Sequence, residues 1–327
     1  MTEPTNYHMS LFYVLLNGVN LNPDFYACPP EGFERVGRRR VLGTYFLLSG
    51  TVLLILYTLC LRAMLSKELI QAPAYKIMIS LAICDILSLF TNSIVTGFFG
   101  FFGLTYCDFP LFVFICGAHG FGCWLGCSIT CVTLAVCRIS ELNPKLPLNA
   151  LFRGFPMKLI IGWFAVTVIF GTYFTKPVIF RLEFMSWFFD PGVGKEVSRL
   201  KKKHDRMTFD FQPDSYTNMF HTVNNMAQAV LTSLLYAILG FTIFTKSKNT
   251  SMHFSASQRQ FCYQAAVICL AHNISSSVYV YMQFFPTPTW LIAAEQVGWQ
   301  MCTGFIDTGG FQVQVKGRFQ EEFVSFT

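Results

Sequence analysis

The sequence predicts an all-α integral membrane protein, a bundle of seven helices that each cross the bilayer. Three observations lead there. Of 327 residues, 53% are hydrophobic and only 13% are charged, about half the charge density of an ordinary soluble domain. The apolar residues gather into seven segments of near-membrane length. None of these segments alternates with period two, so they read as helices that satisfy their own backbone in lipid rather than as barrel strands.

Taken in order, residues 1–40 form a mixed, proline-containing segment ending in Arg38, Arg39 and Arg40, expected outside the cell. The bundle is expected over residues 41–306, with helices at 41–61, 75–104, 111–137, 157–174, 219–244, 261–285 and 290–306. The third organises the rest. Between Leu111 and Cys137 its 27 residues carry no charge beyond His119, about 40 Å of helix against a hydrocarbon core of about 30 Å. Gly117, Gly120, Gly122, Gly126, Cys127 and Ser128 recur along it. Small residues let helices approach closely in lipid, which predicts a central helix with several neighbours. Pro144 and Pro147 break the chain after it, and Pro286 and Pro288 predict a tight turn between helices six and seven. The one long connection, Thr175 to Asn218, is read as polar and carries Lys201, Lys202 and Lys203. Residues 307–327 form an atypical tail, expected in the cytosol: Asp307 and Gly309-Gly310 discourage a helix, and the seventh segment is short.

Charge does not orient the bundle by itself. The loops after helices one, three and five hold ten Lys or Arg and the tail two, while the N-terminal segment and the long loop hold the other twelve. Long loops count for less, which favours an outward N-terminus, whereas Arg38 to Arg40 argue the other way.

Several polar residues stand out against this background. Asp85 lies inside helix two, where a carboxylate is costly and by default faces the bundle; it is either a switch or an acid bonded to a polar neighbour. Arg138 closes helix three, and Glu141, three residues on, shares its face. Arg138 either contacts a cytosolic partner, locks helix three to helix six or snorkels at the interface. His119, His221, Asn224, Asn225, Tyr281, Gln283 and Glu295 fall at similar depth in the outer half. A few polar groups among apolar walls describe a small-molecule pocket, although each is also a plausible helix–helix bond. Glu295, near a helix end, suits a cationic ligand. Cys28 and Cys107 are both expected on the non-cytosolic side, as a disulfide or as two free thiols.

Other functions lack support. No basic run interleaves with aromatics for nucleic acid. The six histidines form no HxxxH or HExxH pair, and no GxSxG or P-loop is present, so neither an enzyme nor a metal or other cofactor is expected. A transporter or channel subunit is the alternative from another class, with only Asp85 and Glu295 leaning that way and no internal repeat in support.

The chain resembles the nematode serpentine chemoreceptors of class T, a family of rhodopsin-like seven-helix receptors. The resemblance runs from Tyr26 to Gly304. It is carried by YACPPEGFERVGRRRVLGTYFLLSG before and into helix one, SLAICDIL in helix two, and YCDFPLFVFICGAHGFGCWLGCSITCVTLAVCR in helix three. GTYFTKPVIF with SWFFDP, HTVNNM, VYVYMQFFP and WQMCTG complete it. It implies a receptor in the plasma membrane, in sensory neuron cilia, that binds a small molecule and signals through a heterotrimeric G protein. Asp85 would be the switch acid and Arg138 the arginine at the cytosolic end of helix three. Cys137 stands where many rhodopsin-like receptors have an acid, and Glu141 would substitute for it. The long loop has no cysteine for a bridge to helix three. After Gly304 the family's apolar continuation is missing, which leaves two further readings open: an atypical seventh helix, or a receptor remnant that does not signal.

Overall fold

The computed structural model describes residues 6–28, 37–143, 145–190, 208–209, 216–249, 267, 270–282, 285 and 287–303. Seven helices dominate them: α1 (Arg40–Met64), α2 (Pro73–Phe102), α3 (Pro110–Leu142), α4 (Gly154–Phe174), α5 (Met219–Asn249), α6 (270–282) and α7 (Thr289–Met301). The first five are long and apolar enough to cross a membrane. The expected start of helix six at 261, the end of helix seven beyond Thr303, Gln283, Pro286 and the tail lie outside the described residues.

Helix ends follow local chemistry. Pro73 and Pro110 occupy first-turn positions of α2 and α3, where the missing N–H is no loss. Gly103 ends α2 with a positive φ of 76°, and its N–H bonds to Phe99 O. α3 runs beyond the expected Cys137 to Leu142, so Arg138 and Glu141 lie within the helix. α2 departs from the expected continuous α-helix. Phe90–Val95 winds as a π-helix, which turns the consecutive Thr91, Asn92 and Ser93 all inward, each no more than 1% exposed.

α3 is the hub: it packs on α2, α4 and α5, and 78% of its most apolar stretch is buried, against 17% for α4 and for α5. Glycines set the close contacts. A Cβ on Gly122 would stand 2.6 Å from Val168 O of α4, and one on Gly43 would stand 2.5 Å from Phe101 N of α2.

One end of the bundle is capped. Short helices Leu11–Leu16 and Pro23–Tyr26, begun by Ser10 and Asn22 side chains, lie across it. Tyr106 Oη donates to Tyr26 O (3.1 Å), Tyr26 Oη donates to Met9 O (3.3 Å), and Tyr26 packs edge-on to Phe114 of α3. Cys28 and Cys107 are joined in a disulfide, with Cα atoms 5.7 Å apart.

The long connection is not simply polar. Its described start forms an antiparallel hairpin, β1 (Ile179–Arg181) and β2 (Ser186–Phe188), with Phe180 opposite Trp187. Ile179, Phe180, Leu182, Met185 and Trp187 are each no more than 2% exposed, because the hairpin is pushed into the helix ends. Trp187 Nε1 donates to Thr96 Oγ1 of α2 (2.8 Å), and Arg39 Nη2 donates to Glu183 O (3.2 Å). A second pair of short strands, β3 (Thr208–Phe209) and β4 (Thr287–Pro288), joins the far end of the connection to the turn before α7.

Candidate functional site

Below the hairpin, helices α3, α5, α6 and α7 enclose a cavity. Gly120, Phe121 and Trp124 line it from α3, Val178 and Trp187 from above, His221 from α5, Tyr279 from α6 and Trp299 from α7. Its rings pack edge to face: Trp124 lies 6.1 Å from Trp299 and from Tyr279, and His221 lies 5.9 Å from Tyr279. The void is ≈ 30 Å³. That is about the liquid volume of one water, against roughly 300–1,000 Å³ for a drug-sized ligand. A ligand of several heavy atoms is therefore admitted only as the aromatic walls part.

A polar ladder stands behind the cavity. Trp124 Nε1 donates to Asn225 Oδ1 (2.9 Å), and Asn225 Nδ2 lies 3.0 Å from His221 Nε2. Asn224 Nδ2 donates to Ser128 Oγ (2.9 Å), and Ser128 Oγ and Ser276 Oγ both donate to Gln228 Oε1. α3, α5 and α6 are thus held by side chains rather than by apolar packing alone. A second set joins α2 to α7: Gln296 Nε2 donates to Asn92 O (2.9 Å), Ser186 Oγ donates to Gln296 Oε1 (3.2 Å), and Asn92 Nδ2 donates to Thr303 Oγ1 (3.2 Å). The inward turn of the π-helix makes this possible.

Towards the other end, Asp85 is fully buried. Its Oδ2 accepts from Tyr57 of α1 (2.7 Å) and its Oδ1 from Cys127 Sγ of α3 (3.1 Å), so one carboxyl ties three helices. At the end of α3, Arg138 Nη1 and Glu141 Oε2 pair at 2.8 Å, and Arg138 Nη2 lies 3.9 Å from Met78 Sδ of α2. Any partner of Arg138 at 261–266 of helix six lies outside the described residues.

These are the geometric marks of a helical membrane receptor, and comparison with known proteins agrees. The family model described as "Serpentine type 7TM GPCR chemoreceptor Srt" matches residues 9–307. The chain belongs to this family. Serpentine receptor class T-55 of Caenorhabditis elegans is 25% identical over 301 residues, covering 90% of this chain and 77% of that protein. This member of the Srt family is accordingly a multi-pass membrane protein with a receptor's helical bundle.

Within this Srt bundle the residues singled out by sequence separate into two groups. His221 lines the cavity and Asn225 supports it. His119, Tyr281 and Glu295 do not line it. His119 sits one residue before Gly120 on α3 and turns to Cys123 Sγ (3.6 Å) on its own helix. Tyr281 is 45% exposed on the outer wall and stacks on Phe285, while Tyr279 takes the inward position. Two residues along a helix is about 200°, so naming the wrong tyrosine of VYVY reverses the face. Glu295 is buried between α6 and α7 beside Ser275, with Oε1 unbonded among the described residues. Sequence reasoning passed over Trp124, Trp187 and Trp299. Their signal was present: a tryptophan in the middle of an apolar span needs a partner for its N–H and so tends to face inward.

A larger cleft of ≈ 620 Å³ opens on the outer wall between α3 and α4, past Ile129, Thr133, Lys158 and Trp163. It lacks converging polar groups and faces where lipid chains lie.

Proposed function

We propose that the protein is a chemosensory receptor of the plasma membrane, placed in sensory neuron cilia, that binds a small molecule beneath the hairpin and signals to a heterotrimeric G protein. In this reading the capped end, with its disulfide, faces outward and residues 1–40 are extracellular. The Arg138 end faces the cytosol, with the tail 307–327. The single observation that carries the proposal is the enclosed aromatic cavity between α3, α5, α6, α7 and the hairpin in a chemoreceptor-family bundle. Ligand binding would shift an existing equilibrium by parting walls that close on a void of one water's size. Asp85 is well placed to respond, because its bonds span α1, α2 and α3. Arg138 and Glu141 would present the coupling surface.

The test is Arg138→Ala in cells carrying an epitope tag at each end. Loss of ligand-driven nucleotide exchange with unchanged surface expression supports the proposal; retained exchange counts against it. Tags that stain on one and the same face of unpermeabilised cells would overturn the topology.

A further inference from the structure

We infer that the cavity takes an uncharged, lipid-soluble molecule bearing a hydrogen-bond acceptor, such as a ketone, ester or ether, and not an amine or an acid. This rests on the receptor reading above and adds the ligand's chemical class.

The first observation is a pair of unused donors. Trp299 Nε1 and Tyr279 Oη are buried at the cavity wall with no hydrogen bond of acceptable geometry among the described residues. Ser186 stands near Tyr279, but its hydroxyl proton goes to Gln296 Oε1. The other indole donors at the wall are committed, Trp124 to Asn225 and Trp187 to Thr96. Native proteins pair nearly all buried polar atoms, so two unpaired donors facing one void ask for an acceptor that the chain does not supply. A carbonyl or ether oxygen has two lone pairs for them.

The second observation is charge. Phe121, Trp124, Val178, Trp187, Tyr279 and Trp299 carry none, and His221 is held by Asn225. Glu295 is the acid on α7, and it turns to Ser275 instead of the lining. Lys176, near the roof, gives its amine to Thr217 O (3.0 Å). A cation or anion would enter with no counter-charge in a water-poor site, at a steep cost. The third observation is the roof. Ile179, Phe180, Met185 and Trp187 close the capped end with almost no exposure, and the N-terminal helices lie beside them. A molecule that dissolves in the bilayer does not depend on that route.

The experiment uses purified full-length receptor in detergent without G protein, followed by tryptophan emission. The probes are straight-chain methyl ketones, n-alkanes of matched length and n-alkylammonium ions. The expected result is saturable binding of at least one ketone, roughly three- to tenfold tighter than its alkane, the value of one or two net hydrogen bonds. Tyr279→Phe and Trp299→Phe should together erase that advantage. Each removes an unpartnered donor, so neither should lower the unfolding temperature; if the pair unfolds, either single variant serves. Equal binding of ketone and alkane, a ketone advantage that survives the substitutions, preferred binding of alkylammonium or no saturable ketone binding would each overturn the inference. None of these outcomes involves coupling, so the receptor reading stands or falls separately on the Arg138 experiment.

Discussion

The carbonyl oxygen of Val178 rests against Gly117, in the space where any other residue would place its Cβ. This contact seats the hairpin on α3 without a covalent tie, since Cys107 at the head of that helix is taken by Cys28. Gly117→Ala should push the hairpin off its seat and destabilise the protein by about 1–3 kcal/mol, the usual cost of overpacking. Thermal unfolding of the purified receptor measures it. Gly162→Ala is the control, because a Cβ there meets nothing within 4 Å. Equal behaviour of the two variants would show that the seat is dispensable.

The disulfide closes a loop of 79 residues in sequence separation, between the N-terminal segment and the start of α3. Cys28→Ser with Cys107→Ser should cost about 2–4 kcal/mol. Reductant should lower the unfolding temperature of the parent protein and leave that of the double variant unchanged. A parent protein indifferent to reductant would mean the cap is held by Tyr26, Tyr106 and their neighbours alone.

Tyr57 gives Asp85 a hydrogen bond from the adjacent helix in a fully buried setting. Tyr57→Phe should destabilise the bundle by about 1 kcal/mol, typical of one side-chain bond in a membrane interior. Combined with Asp85→Asn, the losses should not add, because the two residues share one interaction. Full additivity in that cycle would dissolve the coupling.

Glu141 holds Arg138 at 2.8 Å with its own side chain 36% exposed. A pair that open to solvent contributes under about 1 kcal/mol. Glu141→Gln should therefore raise ligand-independent nucleotide exchange by no more than roughly fivefold. Unchanged basal exchange would remove Glu141 from the activation mechanism.

Much of the bundle was legible because the bilayer makes it so. A charge-free run such as Leu111–Cys137 has few alternatives to a buried helix. The glycines along α3 likewise announced a crowded helix. Rotation about a helix axis was less legible. VYVY is apolar on all sides, and nothing local separates Tyr279, which faces in, from Tyr281, which faces out. The hairpin escaped because its strands are three residues each, too short for a periodic pattern, and its burial comes from helix ends distant in sequence. A cue existed in Val178-Ile179-Phe180 and Trp187-Phe188-Phe189: apolar triplets in a supposedly polar loop must be covered by something. The π-helix had no cue at all, since its pitch answers to Gln296 and Thr303 on another helix.

That change of pitch makes α2 sensitive to length in a way its composition conceals. Each residue is worth about 100° of turn, so losing any one of Phe90–Val95 would rewind the segment to ordinary pitch and rotate all that follows. Thr96 would swing off Trp187 and Gly97 off Leu47. A single-codon deletion there would leave hydropathy, span length and charge nearly untouched while presenting the wrong side of the helix to both neighbours, a lesion visible to the fold and invisible to any hydrophobicity plot.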